Sequence, residues 1–425
     1  MRELIDATPI NQEEYMAFSL FDSKGTPIEN QRYTWRDMVR TPLSKLDDDA
    51  FTRVRVIMMN GIEIEALRFS HMAARFNKEL RLPLALIRRS EQHQATMINW
   101  LLSADHSPLE ITIAYEQVAI ELTAAVAQRE PDPYLAQTYR YGLLEDFDHI
   151  YRYSALLDRL EGKDPNNITQ SYTDIVPARP TWEHHRHPGD DPVNHYDRTN
   201  AHMLSKMHAL TITSTEQQTH NYYMNVGPTF SDPVARQLYA EIASVEEQHV
   251  TQYESMLDPS ETWLEQWVLH EANECYNYYS CVESETNPRI KAIWERFLDY
   301  EIGHFHTACE AFKIHERRDP AEIITGAFER PIELKSQRDF YRQVLIEEVD
   351  LRRLGPDFVP KAQESQASID YRAMLHSDGE PSGPISAGYI WTPGTELMSR
   401  GAASGATIAT RTEAAAQVPA NGIAQ

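Results

Sequence analysis

Cysteine is scarce. The three in 425 residues, Cys275, Cys281 and Cys309, form no CxxC pair. That excludes a zinc ribbon, a rubredoxin-type iron site and a dithiol redox motif built from this chain alone. A disulfide framework is not expected at this size. Glycine is also low, at 16 residues, which argues against a glycine-rich phosphate-cradling fold. No apolar run reaches membrane-spanning length. The opening MRELIDATPINQEEYM lacks the basic-then-apolar order of a secretory signal, so a cytoplasmic protein is expected. Basic residues are outnumbered, 40 against 64 acidic ones, giving a net charge of −24. Such an excess disfavours nucleic acid and anionic membranes as partners, because both are polyanions. It suits hard cations, which prefer oxygen ligands.

What the chain has in quantity is helical patterning. Residues 1–52 read as an N-terminal extension, with TWRDMVRTPLSKL as a short helix. Over 53–161, four long stretches with apolar residues at helical spacing are joined by short breaks at Pro83, Ser107-Pro108 and Pro131 to Pro133. Residues 162–200 are rich in Pro, Asn, Asp and His and read as a linker. A second set of four helical stretches fills 201–318, broken at Gly227-Pro228, Asp258-Pro259 and Asn287-Pro288. Residues 319–362 predict a helical extension, with one helix over RDFYRQVLIEEVDLRRLG. From 363 to 425 Gly, Ser, Ala, Thr and Pro dominate, which predicts a flexible tail.

The two helical runs resemble each other. A shift of 155 positions lays Glu116 on Glu271, Glu130 on Glu285, Pro133 on Pro288, Asp146 on Glu301 and His149 on His304. With one residue of slippage, Ser90-Glu91-Gln92-His93 falls on Glu246-Glu247-Gln248-His249.

Within the second run, Glu216 precedes Glu246 by 30 residues, and Glu271 precedes Glu301 by 30. Glu246 and Glu301 are each followed three residues later by a histidine, His249 and His304. On a helix, positions i and i+3 share one face, about 60° apart, so both side chains can reach one metal ion. One Glu from each of two helices plus Glu-x-x-His from each of two others is the di-iron or di-manganese bundle pattern. The short motif alone is weak. Chance gives about 2.6 Asp/Glu-x-x-His matches at this composition, and three occur, at His149, His249 and His304. Placement mid-helix, in matching order, carries the argument.

On these residues the chain resembles the ferritin-like superfamily, and within it the rubrerythrin-like di-iron carboxylate proteins. The resemblance covers residues 201–318 closely and 53–160 in weaker form. It implies an all-α fold of two tandem ferritin-like four-helix bundles, with the N-terminal extension, the linker and the tail added. It implies a metal site of Glu216, Glu246, His249, Glu271, Glu301 and His304 in the second bundle, loaded with iron or manganese. Glu274 fits the further glutamate one turn after the third-helix ligand, which in that family accompanies peroxide reduction, so it is the expected catalytic residue. The implied activity is an oxidoreductase that reduces peroxide or activates dioxygen. With no rubredoxin-type domain, electrons would come from an external donor. An oxygenase or N-oxygenase of a small organic substrate is the alternative enzyme, and an iron-handling or scaffold protein the alternative of another class. The packed tandem would imitate a two-fold dimer, so a monomer or a homodimer is expected.

The first run keeps Glu116, Asp146, His149 and His93 but has Ser90 where the slipped alignment puts Glu246, and either Glu63 or Glu65 in its first helix. It is expected to hold a degenerate or single-metal site, with Asp146 and His149 as a polar core pair. The tyrosines Tyr222, Tyr223, Tyr276, Tyr278 and Tyr279 are expected to pack, and Cys275 to be buried and inert. The linker histidines His184, His185, His187 and His195 could bind zinc but read first as a polar loop.

Overall fold

A computed structural model of the chain describes residues 17–45, 48–175 and 185–387. These residues are mostly helical. The short α1 (Trp35–Met38) lies in the N-terminal segment. Four long helices follow: α2 (Ala50–Phe76), α3 (Arg81–Asn99), α4 (Pro108–Ala127) and α5 (Pro133–Glu161). After the single turn α6 (Asn166–Thr169) come α7 (Met203–Val226), α8 (Pro233–Glu254), α9 (Trp263–Ser284) and α10 (Pro288–Glu316).

The helix ends follow from local chemistry. Ser107 opens α4 with a capping box to Glu110, and Thr262 opens α9 with a capping box to Glu265. Asp132 and Asn287 cap α5 and α10, and each is followed by proline at the first helical position, where the missing N–H costs nothing. Gly162 closes α5 in the left-handed region at φ 62°, and Arg317 follows α10 in the same conformation at φ 58°. Every one of these pairs is 155 positions apart.

The long helices pair as four hairpins: α2–α3, α4–α5, α7–α8 and α9–α10. Helices α2, α4, α7 and α9 also pack on one another and form the centre. Helix α4 is buried along almost its whole circumference, as its Ile, Val, Ala and Thr content allows. The hairpins associate across the chain. The α2–α3 hairpin meets α9–α10, and α4–α5 meets α7–α8. Residues 53–161 and 201–318 are therefore interlocked, where the repeat had suggested that each run closes on itself. Periodicity marks an apolar face but does not say which other apolar face covers it.

Two buried carboxylates clasp the halves together. Glu130, just before α5, accepts hydrogen bonds from Ser205 and His208 at the start of α7, the latter at 2.8 Å. Glu285, just before α10, accepts from Thr52 at the start of α2 at 2.7 Å and lies 3.5 Å from Arg55. Thr52 and Arg55 stand 153 positions before Ser205 and His208, so the two clasps are copies, and each joins one half to the other.

The C-terminal part departs from expectation. Helix α11 (Arg338–Glu347) stops eight residues early, and strands β1 (Leu351–Leu354) and β2 (Asp357–Pro360) form an antiparallel hairpin with Leu351 opposite Pro360. Arg353, buried in β1, donates to Gln252 of α8 at 2.9 Å, which fixes the hairpin to the helical body. The expected tail is ordered as far as residue 387. It contains α12 (Gln366–Leu375) and α13 (Gly383–Ser386). Ser365 and Ser368 donate to Asp190, at 2.6 and 2.7 Å, and so hold α12 against the linker. The rest of that expectation, residues 388–425, lies outside the described residues. Among the described residues, no helix is long and apolar enough to cross a membrane.

Candidate metal centres

The seven residues expected to share one site lie in two clusters. The first cluster sits among α2, α3, α9 and α10. It contains Glu91, Glu271, Glu274, Glu301 and His304, whose ligand atoms approach within 4.8 Å in the groups Glu91–Glu271–His304 and Glu271–Glu274–Glu301. Glu63 faces the same space, where Glu301 and Glu91 act on its carboxyl. His304 Nδ1 lies 2.9 Å from Glu301 and 3.9 Å from Glu271.

The second cluster sits among α4, α5, α7 and α8. Its groups are Glu116–His149–Glu246 and Asp146–Glu216–His249. His149 Nδ1 lies 3.0 Å from Glu246 and 3.9 Å from Glu116. His249 Nδ1 is 3.4 Å from both Glu216 and Glu246 and 3.6 Å from Asp146. Each cluster thus draws on both halves of the chain: the second takes three residues from each, the first Glu63 and Glu91 from one half and four from the other.

Both sets fit cations. All the cluster carboxylates are buried, and both oxygens of Glu91, Asp146 and Glu274 accept no hydrogen bond. An ionised carboxylate held away from water without a partner costs several kcal/mol, and native proteins seldom leave such groups orphaned. Burial pushes Glu91 up to about 8 and Glu216 up to about 7. Burial, with neighbouring carboxylates, pushes Glu63, Glu116, Asp146, Glu271 and Glu274 well above their ordinary range. Without cations these groups hold protons. Glu246 is the exception, because His149 and His249 outweigh its burial and hold it low.

The outer atoms of two histidines are fixed. His249 Nε2 donates to Glu145 at 2.9 Å, and Arg186 donates to the other oxygen of Glu145 at 2.8 Å. Against the effect of burial, Arg186 and His249 hold Glu145 down at about 2, so it acts as an acceptor. In the first cluster His304 Nε2 donates to Gln31 Oε1 at 3.0 Å. The Gln31 amide nitrogen itself donates to the carbonyls of Thr26 and Tyr300, which leaves only its oxygen for His304. Both histidines therefore present Nδ1 to the carboxylates, the arrangement in which an outer partner sets the tautomer of a metal ligand. Gly303 makes the Gln31 contact possible. A Cβ there would stand 2.1 Å from the Thr26 carbonyl, so the N-terminal segment could not lie across α10.

Several expectations are corrected. Asp146 and His149 stand inside the second cluster beside Glu246 and His249 and are not a separate polar pair. Of the first-helix candidates, Glu63 reaches the cluster, whereas Glu65 pairs with Arg68 at 3.0 Å. The missed residue is Glu91. The unslipped shift of 155 places Glu91 on Glu246 and Gln94 on His249; slippage had put Ser90 and His93 there. Gln94 donates to Glu301, while the half-buried His93 packs against Tyr33. The signal for Glu63 was the 153-residue offset that also relates Thr52 and Arg55 to Ser205 and His208.

Two tyrosines touch the clusters. Tyr223 donates to Glu116 at 2.5 Å, and Tyr278 donates to Glu63. Tyr222, Tyr276 and Tyr279 stack on Tyr115, Phe328 and Phe18 respectively. Cys275 is buried, and burial pushes its thiol well up, as expected of an inert residue. A pocket of about 170 Å³ opens beside the second cluster, lined by Tyr223, Met224, Pro228, Arg236 and Tyr239. Of the linker histidines, His195 is exposed and His187 accepts from the Gly189 amide, while His184 lies outside the described residues. Comparison of the chain with family models, with curated proteins and with solved structures gives no match.

Proposed function

We propose that the chain is a di-metal carboxylate oxidoreductase with two centres, each a ferritin-like group of four helices assembled from both halves. The supporting observation is the second cluster, where Asp146-x-x-His149 and Glu246-x-x-His249 face each other with Glu116 and Glu216 between them. Glu116, Asp146, His149, Glu216, Glu246 and His249 would hold one pair of cations. Glu63, Glu91, Glu271, Glu274, Glu301 and His304 would hold the other. Iron, or manganese, would supply one-electron steps and open positions for peroxide or dioxygen.

The chain's own part is placement and proton control. Burial excludes water, and oxygens that otherwise hold protons release them when cations enter. Glu145 and Gln31 keep the outer nitrogens of His249 and His304 protonated, so both rings stay aimed inward. Tyr223 carries a hydroxyl from the pocket wall to Glu116 and can pass a proton there. Gln94 in place of a second histidine leaves the first centre richer in carboxylate, which favours a harder or more oxidised ion.

The test is anaerobic loading of metal-stripped protein with ferrous iron, followed by peroxide. Expected are up to four irons per chain and two ferrous ions oxidised per peroxide, faster than free iron. Binding of less than one iron per chain, or oxidation at the free-ion rate, would defeat the proposal. The pocket beside Tyr223 favours a second reading, oxygenation of a small organic molecule. Under that reading substrate would accelerate dioxygen consumption, and peroxide would be a poor oxidant.

A further inference from the structure

A third group of ligating side chains lies apart from both clusters and joins three segments distant in sequence. His185 comes from the linker, Glu241 from α8, and His376 follows the last turn of α12. His185 Nε2 lies 3.5 Å from Glu241 Oε1, and His376 Nε2 lies 3.6 Å from the same oxygen. Hydrogen bonds of this kind are normally 2.7–3.2 Å long. Two ligand atoms bound tetrahedrally at about 2.0–2.1 Å from zinc stand about 3.3–3.4 Å apart. The observed separations are close to that edge length.

Three further observations agree. Glu241 is only 6% exposed, and the imidazoles of His185 and His376 are the partners of its Oε1, at ion-pair distance rather than in hydrogen bonds of normal length. The other oxygen of Glu241 accepts from the Ser382 hydroxyl, which fixes the carboxylate and leaves Oε1 facing the imidazoles. The two rings meet edge to face, with centroids 5.4 Å apart and planes at 85°, so their Nε2 atoms converge on that oxygen. Two imidazole nitrogens and one carboxylate oxygen form a borderline donor set that suits zinc, with water in the fourth position.

We propose that His185, Glu241 and His376 form a zinc site that clamps the C-terminal segment onto α8. The site shares no residue with either carboxylate cluster and does not depend on their function. Its effect is mechanical. Residues 366–387 reach the linker through Ser368 on Asp190 and the helical body through Ser382 on Glu241 and α13 on α5. A cation on His376 would hold this segment from its middle.

The test uses the full chain, stripped with a chelator and titrated with zinc. The His376→Gln variant should bind one zinc fewer per chain than the parent, and Glu241→Gln should show the same loss. In the parent, zinc should slow amide hydrogen exchange across residues 366–375 by tenfold or more. That measurement needs no variant, so a misfolded substitution cannot mask it. Cobalt in place of zinc should give the intense visible bands of four-coordinate cobalt in the parent and lose them in His376→Gln. Equal zinc uptake by parent and variants, or exchange across 366–375 that zinc leaves unchanged, would overturn the proposal.

Discussion

Asp146 is a useful residue because it separates a ligand from a structural polar group. Burial and the nearby Glu216 raise its carboxyl, and neither oxygen has a hydrogen-bond partner. In the metal-free protein it is a liability; in the loaded protein it would be a ligand. Asp146→Asn should therefore remove about half of the bound iron, that of one centre of the two. It should also make the stripped protein more stable at neutral pH, because the unfolded chain ionises Asp146 there while the folded core disfavours its charge, a cost the amide does not carry. Metal analysis and denaturant midpoints of stripped parent and variant check both parts. A stripped variant less stable than the stripped parent would make Asp146 a structural partner. At this scale the sequence was informative about residue types. Glu246, His249, Glu271, Glu274, Glu301 and His304 all face a cluster. Glu91 was lost because one residue of slippage made a better match of letters, Ser-Glu-Gln-His on Glu-Glu-Gln-His, than the true register does.

At the scale of elements, α11 shows how a helix docks through one carboxylate. Glu121 of α4 accepts from Thr173 at 2.7 Å and from the Gln337 amide, just before α11, at 2.7 Å. Burial pushes Glu121 up to about 7, against those hydrogen bonds. Its folded pKa is thus above its unfolded value, and the folded state binds the proton more tightly. The stability this supplies is fully present below about 4.5 and is lost as pH rises through about 7. Glu121→Gln keeps an acceptor for the Gln337 amide, turns its NH2 to the Thr173 hydroxyl and so reverses that hydrogen bond, and cannot ionise. The variant should match the parent near pH 4.5 and exceed it at pH 8, by about 3 kcal/mol at most, given 1.36 kcal/mol per pKa unit. Unfolding midpoints at the two pH values check this, and a parent that stays the more stable at pH 8 contradicts it. The end of α11 was not legible because RDFYRQVLIEEVDLRRLG keeps helical spacing past Glu347. What stops the helix is tertiary: Arg353 is drawn to Gln252, and β1 pairs with β2.

For the whole molecule, the crossing of hairpins makes each half dependent on the other. Neither residues 1–180 nor residues 181–425 contain a full ligand set, since each cluster draws on α2–α5 and on α7–α10. Either piece produced alone should bind little iron, although the 181–425 piece keeps His185, Glu241 and His376. Produced together, they should recover the parent's metal content, because the clasps Glu130–His208 and Glu285–Thr52 are non-covalent and link the two pieces. Co-purification and metal analysis of the paired pieces check this. Full metal in the 181–425 piece alone would restore a self-contained second half.

The sequence by itself determined the helical class, the 155-residue repeat, the caps that start α4, α5, α9 and α10, and most of the side chains that can bind metal. These are local properties, written in spacing and in residues a turn apart. Only the tertiary structure decided which hairpin meets which, that Glu216, Glu246 and His249 belong with Asp146 and His149, and that His185 meets His376. Two copies of one amphipathic pattern offer equivalent apolar faces, so pattern cannot choose between closing on itself and exchanging partners. That choice rests on contacts between the halves that form only in the folded chain, such as Glu130 on His208 and Glu285 on Thr52.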